Sequence, residues 1–253
     1  MNRRAQLICV WSGPLLTVLF IIGAVLLGRF IPPLIAPSDT AQMVAAKVAE
    51  HGTRIRIGAL ITIISMSLVA PWGVTVAAQT RRKEGNYPIL TYVQLMCVAV
   101  GTTVVVLMSM FWAIVTFRPD TYSPEFMQFA NDIAYFLFLF TWPPFSVWVL
   151  AVALAVLLDD SGNPVYPRWV AYLSLWVFIL FMPAGMMAFF KHGVFAWTGV
   201  LALYIPVGIF FVWLAVMTVY TIKNINAGAY YDPQTEQSAD RAGGRPAAAA
   251  TAR

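Results

Sequence analysis

The chain has 253 residues, of which 60% are hydrophobic, 14% aromatic and only 11% charged, with a mean hydropathy of +0.75. That is more apolar surface than one soluble core can hide, so the composition excludes a soluble globular domain and predicts a polytopic membrane protein. The net charge of +5 does not mark a nucleic-acid binder, because the basic residues flank hydrophobic runs and form no aromatic-interleaved patch.

In chain order, Asn2-Arg3-Arg4 opens onto an apolar run over 7–30. It exceeds a signal-peptide core and no small-residue cleavage site follows, so it reads as an uncleaved first span. Pro32-Pro33 comes next, then 38–51, where Asp39 and Gln42 read as a capping box and Met43, Val44 and Val48 share a face. A short amphipathic helix is expected there, in the first outer loop. Further runs of spanning length lie at 55–78, 89–115, 133–158, 169–190 and 195–222. The expected fold is all-α, with six transmembrane helices in one domain over 1–226.

Among the connections, Arg118-Pro119-Asp120 ends a span, Ser123-Pro124-Glu125 starts a short helix, and Asn131 or Asp132 suits the N-cap of the fourth span. Residues 159–164 read as a turn. From about Ala227 the composition turns small and polar, so 227–253 reads as a disordered cytoplasmic tail.

Proline and glycine interrupt the spans. Pro143 and Pro144 each remove a helical donor, which leaves the carbonyls of Leu139 and Phe140 to be satisfied by neighbouring helices. Breakers recur at Ser12-Gly13-Pro14, Pro71-Trp72-Gly73, Gly101, Pro183-Ala184-Gly185 and Pro206-Val207-Gly208. Three spans per half would suit an inverted repeat around a midplane site. Such breakers are common in membrane helices, and no side-chain pattern adds to them.

With a cytoplasmic N-terminus, the inner side collects seven basic residues and the outer side six, the tail excluded. The compact Arg81-Arg82-Lys83 cluster in a short loop carries most weight, and six spans return the C-terminus to the same side, so both termini are expected inside.

Several segments together carry a resemblance. They are Arg54-Ile55-Arg56-Ile57-Gly58 leading to Pro71-Trp72, Gln79-Thr80-Arg81-Arg82-Lys83-Glu84-Gly85, Phe111-Trp112, Phe117-Arg118-Pro119, Asn131-Asp132, Pro167-Arg168-Trp169-Val170, and Phe189-Phe190-Lys191-His192-Gly193 with Phe195-Ala196-Trp197. Over residues 7–225 the chain resembles a family of six-helix membrane proteins of actinobacteria and proteobacteria with no assigned activity. The resemblance implies that shared fold in the bacterial cytoplasmic membrane and carries over no catalytic residue.

Ionisable residues gather at the outer ends of the helices: Glu50, His51, Arg54, Arg56, Arg118, Asp132, Lys191 and His192. Folding could join them in an outer vestibule, since charge near membrane depth is costly and often functional. Each also has a structural reading, because His and Lys suit helix C-termini and both histidines precede a glycine able to cap a helix. His51 and His192 could ligate haem b, but no third ligand and no metal-binding spacing accompanies them. Cys9 and Cys97 lie inside spans and suggest neither a disulfide nor a metal site. No phosphate loop, nucleophile elbow or HExxH appears, so no catalytic residue, metal or cofactor is expected.

The aromatic and methionine side chains Phe136, Phe138, Phe140, Trp142, Phe145 and Trp148 of span four, Trp176, Phe178, Phe181, Met182, Met186 and Met187 of span five, and Tyr204, Phe210, Phe211 and Trp213 of span six could line a pocket for an apolar molecule. Ordinary helix packing accounts for the same residues. The expected function is to bind or move a small, largely apolar molecule in the lipid bilayer, with Arg54, Arg56, Arg118, Asp132, Trp142, Lys191 and Trp197 as candidate ligand-binding residues. The alternatives are a membrane redox or enzyme subunit using His51 and His192, and a non-catalytic accessory subunit of a membrane complex; under any of the three, the chain could form an oligomer or hold a membrane partner.

Overall fold

The computed structural model describes residues 3–159 and 164–227. These residues form helices and no β-strand, and six helical stretches are long and apolar enough to cross a membrane. The spans are Arg3–Leu27, Ala41–Lys83, Ile89–Val115, Pro124–Leu157, Arg168–Ala188 and Val200–Asn226. The protein is therefore an all-α, multi-pass membrane protein. Most of the expected turn at 159–164, and all of the expected tail beyond Ala227, lie outside the described residues.

Spans 1 and 6 meet at one end of the bundle, where Arg3 Nη2 donates to Asn226 Oδ1 at 2.7 Å. This is the terminal end; the opposite one, carrying 28–40, is the first-loop end. Going round the bundle, span 1 packs on spans 2 and 6, span 3 on spans 2 and 4, and span 5 on spans 4 and 6.

Only the third span, α4 (Ile89–Val115), is an α-helix from end to end. The other five change their winding partway. In span 1, α1 (Arg3–Phe20) passes into a π-helical stretch, Ile21–Leu27; in span 2, α2 (Ala41–Ser67) gives way at Leu68 to α3 (Val69–Thr80). Span 4 joins α5 (Pro124–Tyr135) through π-helical Phe136–Phe140 to α6 (Trp142–Leu157). Span 5 is α7 (Arg168–Phe181) followed by 3-10 helix over Met182–Ala188, and span 6 is π-helical Val200–Tyr204 followed by α8 (Ile205–Asn226).

Proline explains four of these five breaks. Pro71 is the third residue of α3, Pro143 and Pro144 are the second and third of α6, and Pro183 and Pro206 are each the second residue of their segments. In a first turn the missing N–H has no helical partner to lose, so each helix restarts just before its proline.

The backbone groups freed at the breaks find partners on adjacent spans. Ser12 Oγ on span 1 reaches the Leu68 carbonyl at 3.1 Å and its own helix at Cys9 O. In return, Ser65 Oγ on span 2 donates to Leu16 O at 2.8 Å. Lipid offers no such partners, so these serines stitch spans 1 and 2 together where both are irregular. Beyond that point the two backbones nearly touch: a Cβ on Gly58 would lie 2.4 Å from the Gly28 backbone.

The breaks in spans 1, 4, 5 and 6 lie toward the first-loop end of the bundle, and that in span 2 lies near mid-depth, where Leu68 meets Ser12.

Two helices run further than the polarity of their sequence suggests. The amphipathic helix begins at Ala41 and continues through Gly52 into span 2 without a break, so Gly52 is helical and caps nothing. Its N-cap is Thr40, whose Oγ1 accepts from Met43 N; Asp39 instead accepts from Ala36 N at 2.8 Å and Lys47 Nζ at 2.5 Å. The helix expected at Ser123 does start there, with Ser123 Oγ accepting from Phe126 N. It runs through Asn131 and Asp132, so neither is an N-cap.

Candidate functional site

The helix breaks surround a cavity of about 80 Å³. Every span contributes to its wall. Phe20 comes from span 1, Met66 and Val69 from span 2, and Val105 from span 3. Span 4 adds Phe138, Leu139, Trp142 and Phe145; span 5 adds Phe181 and Ala184; span 6 adds Pro206, Val207, Phe210 and Phe211. Most of these flank a change of winding, as Phe20 precedes the π stretch and Met66 and Val69 bracket Leu68. Where helices bend or rewind, their side chains stop interdigitating and space opens.

The wall carries no charged side chain, and its one side-chain hydrogen-bond donor is the indole N–H of Trp142. That indole lies against span 5, where a Cβ on Gly185 would come within 2.6 Å of Nε1. Seven aromatic rings in a space of this size offer flat, polarisable surface to an apolar molecule, and almost nothing to a charged one.

Aromatic layers close the cavity toward both aqueous faces. On the terminal side Trp72, Trp148 and Trp213, each 0% exposed, meet edge to face with centroids 5.4–5.6 Å apart. Trp72 Nε1 donates to Thr218 Oγ1 and Trp213 Nε1 to Ser174 Oγ, both at 2.9 Å. Gly13 makes room for this layer, since a Cβ there would lie 2.6 Å from Trp72. On the first-loop side Phe30 stacks on Trp112 at 3.7 Å, Trp112 meets Tyr135 edge-on, and Tyr135 stacks on Trp197 at 4.9 Å. Tyr135 OH donates to Phe30 O and Trp197 Nε1 to Ile35 O, which tie this layer to the first loop.

The residues that sequence reasoning proposed are thus spread over three places. Trp142 lines the cavity, and Trp197 belongs to the first-loop layer. The charged residues lie beyond that layer, where most serve helix ends: Arg54 Nη2 donates to Leu26 O at 3.2 Å, and Arg56 Nη2 donates to Thr116 O. Arg118 lies over the ring of Phe117. Asp132 is half-buried within span 4, and Lys191 is exposed just past the end of span 5. His51 faces Glu50, with Nε2 and Oε1 3.6 Å apart, while His192 is exposed ahead of Gly193 in the left-handed conformation. Among the described residues no three His, Cys, Asp or Glu gather to hold a metal ion.

Of the sixteen aromatic and methionine residues that the sequence marks in spans four to six, six line the cavity; Trp148 and Trp213 belong to the terminal-side layer, and others such as Trp176 are exposed on the outside of the bundle. Phe20, Met66, Val69 and Val105 line it without having been marked, and Leu139, Ala184, Pro206 and Val207 were marked only as parts of the helix breakers. The usable signal was the breakers: most of these lie within three residues of a change of winding. Compared with protein-family models, curated proteins and solved structures, the chain finds no match in any of the three.

Proposed function

We propose that the protein binds or moves a small, largely apolar molecule through the cavity between its broken helices. The observation that carries this reading is the coincidence of five changes of winding around one aromatic-lined space. A bundle selected only to pack would fill that space, since each empty pocket forfeits dispersion contacts. Broken helices also restart at fixed points, which gives the bundle hinges next to the bound molecule.

The test is a thermal-unfolding screen against lipophilic compounds in detergent. A binder at a hundredfold excess over its Kd stabilises by about 2.7 kcal/mol, which for this chain length is a shift of roughly 5–10 °C. Ala184, 2% exposed, faces the cavity, and Ala184→Phe fills it with a ring. The shift is expected in the wild type and absent from Ala184→Phe. A screen in which nothing moves the wild type, or in which the filled variant shifts equally, contradicts the proposal.

We further place the protein in a bacterial cytoplasmic membrane, with the terminal end on the cytoplasmic side. The supports are the family resemblance and the Arg81-Arg82-Lys83 cluster, which lies at the end where Arg3 meets Asn226. Reporter fusions after Lys83 and after Ala227 should both read as cytoplasmic, and one after Pro119 as external. Opposite readings at Lys83 and Ala227 would contradict this placement.

A further inference from the structure

Toward each end of the bundle the cavity is bounded by buried aromatic side chains. The Trp72–Trp148–Trp213 layer seals the terminal side, and Phe30, Trp112 and Tyr135, at 4% exposure or less, seal the first-loop side. Spans 1 and 6 pack together from the terminal end, α1 against α8, as far as Phe20 and Phe211, whose ring centroids are 5.0 Å apart. Past that pair they part. Ile21–Leu27 packs along α2, whereas Val200–Tyr204 packs along Met182–Ala188. Phe20 and Phe211 both line the cavity, as does Val207 one turn further along span 6. Beside it, Gly208 is exposed and a Cβ there would meet nothing within 4 Å. Tyr204, a turn beyond, is 38% exposed.

We infer that the gap between spans 1 and 6, edged by Phe20 and Phe211, is a lateral portal through which the acyl or isoprenoid chain of a membrane-dissolved molecule enters the cavity from the bilayer. This inference rests on the binding reading above. Phe20 lies seven residues from the end of its span, no more than about 10 Å, the rise of an α-helix of that length. With a hydrocarbon core about 30 Å thick, that depth is among the acyl chains. A chain already dissolved there loses nothing on moving sideways between apolar surroundings. A solute arriving from water would have to separate stacked rings held by hydrogen bonds from Tyr135 and Trp197. Inside, the wall offers dispersion contacts alone, so a hydrocarbon chain fits it and a polar headgroup, stripped of its water, does not.

The test uses the full chain in preformed phosphatidylcholine vesicles. A phospholipid with a diazirine at the end of one acyl chain is transferred in and irradiated after a short, fixed interval. In the wild type, cross-links are expected on peptides carrying Phe145 and Phe210, as well as on exposed Trp176, which reports labelling from the bilayer at large. Gly208→Trp should lower cavity labelling roughly tenfold or more by obstructing entry, leaving Trp176 labelling unchanged. Gly208→Leu should fall between, and Tyr204→Ala, which removes the exposed ring one turn beyond Gly208, should raise labelling at the same interval. The unfolding midpoint of Gly208→Trp, expected near that of the wild type, shows that the fold holds.

Cavity labelling at the wild-type level in a folded Gly208→Trp, or no response to Tyr204→Ala, overturns the portal while leaving the binding reading intact. So does equal labelling of both proteins by a short diazirine probe confined to water. If the wild-type cavity peptides take no label from either probe, the binding reading fails and the portal with it.

Discussion

Gly58→Ala is expected to destabilise the fold by about 3 kcal/mol, a large effect for one methyl group. The added carbon would lie 2.4 Å from Cα and N of Gly28 and 2.7 Å from the Gly23 carbonyl. These are backbone atoms with no rotamer to escape into, so spans 1 and 2 must separate. Separation would also stretch the bonds from Ser12 to Leu68 and from Ser65 to Leu16, which satisfy carbonyls that lipid leaves bare. Gly208→Ala is the control, because its Cβ meets nothing, and it is expected to change stability by less than about 1 kcal/mol. Reversible unfolding in mixed micelles reads both. Equal effects at the two glycines would show that the close approach of spans 1 and 2 is wrong.

The second large effect is expected at the tryptophan layer. Trp213→Ala removes two edge-to-face contacts, to Trp72 and Trp148, and the hydrogen bond to Ser174. It also leaves a void at a position with 0% exposure. Large-to-small changes of this kind cost about 3–5 kcal/mol in soluble cores. The lower end, about 3 kcal/mol, applies here, because lipid is as apolar as the core and the transfer part is small. Trp176→Ala, at a ring 62% exposed on the same bundle, should cost less than about 1 kcal/mol. The layer also floors the cavity, so Trp213→Ala should loosen ligand binding as well. A loss no larger than that of Trp176→Ala would remove the layer from the account.

Much of the fold was legible because hydropathy and length report directly on the bilayer. All six spans follow from apolar runs, and the breaks in spans 2, 4, 5 and 6 were announced by Pro71, Pro143, Pro183 and Pro206. The helix extents were not. At Gly52-Thr53-Arg54 and at Asn131-Asp132 the chain turns from polar to apolar, which suggests a boundary. That change marks the membrane surface, and a helix crosses it freely when nothing removes a donor. The π-helical stretch at Ile21–Leu27 has no proline and no sequence signature at all.

The candidate site was legible only in part, for a related reason. Charge at helix ends is conspicuous in a sequence of this composition, so Arg54, Arg56 and Arg118 drew attention. The structure gives them carbonyls and a ring to hold near the membrane surface. Trp142 was found because it adjoins a double proline. Residues such as Met66 and Val105 are ordinary in sequence and become cavity wall only when spans distant along the chain fold together.

The most direct measurement of the central claim is native mass spectrometry of the protein released from its own membrane. The wild type is expected to carry an apolar molecule at one copy per chain, retained through delipidation, and Ala184→Phe to carry none. A bare wild type, or the same bound mass on both proteins, would contradict the account.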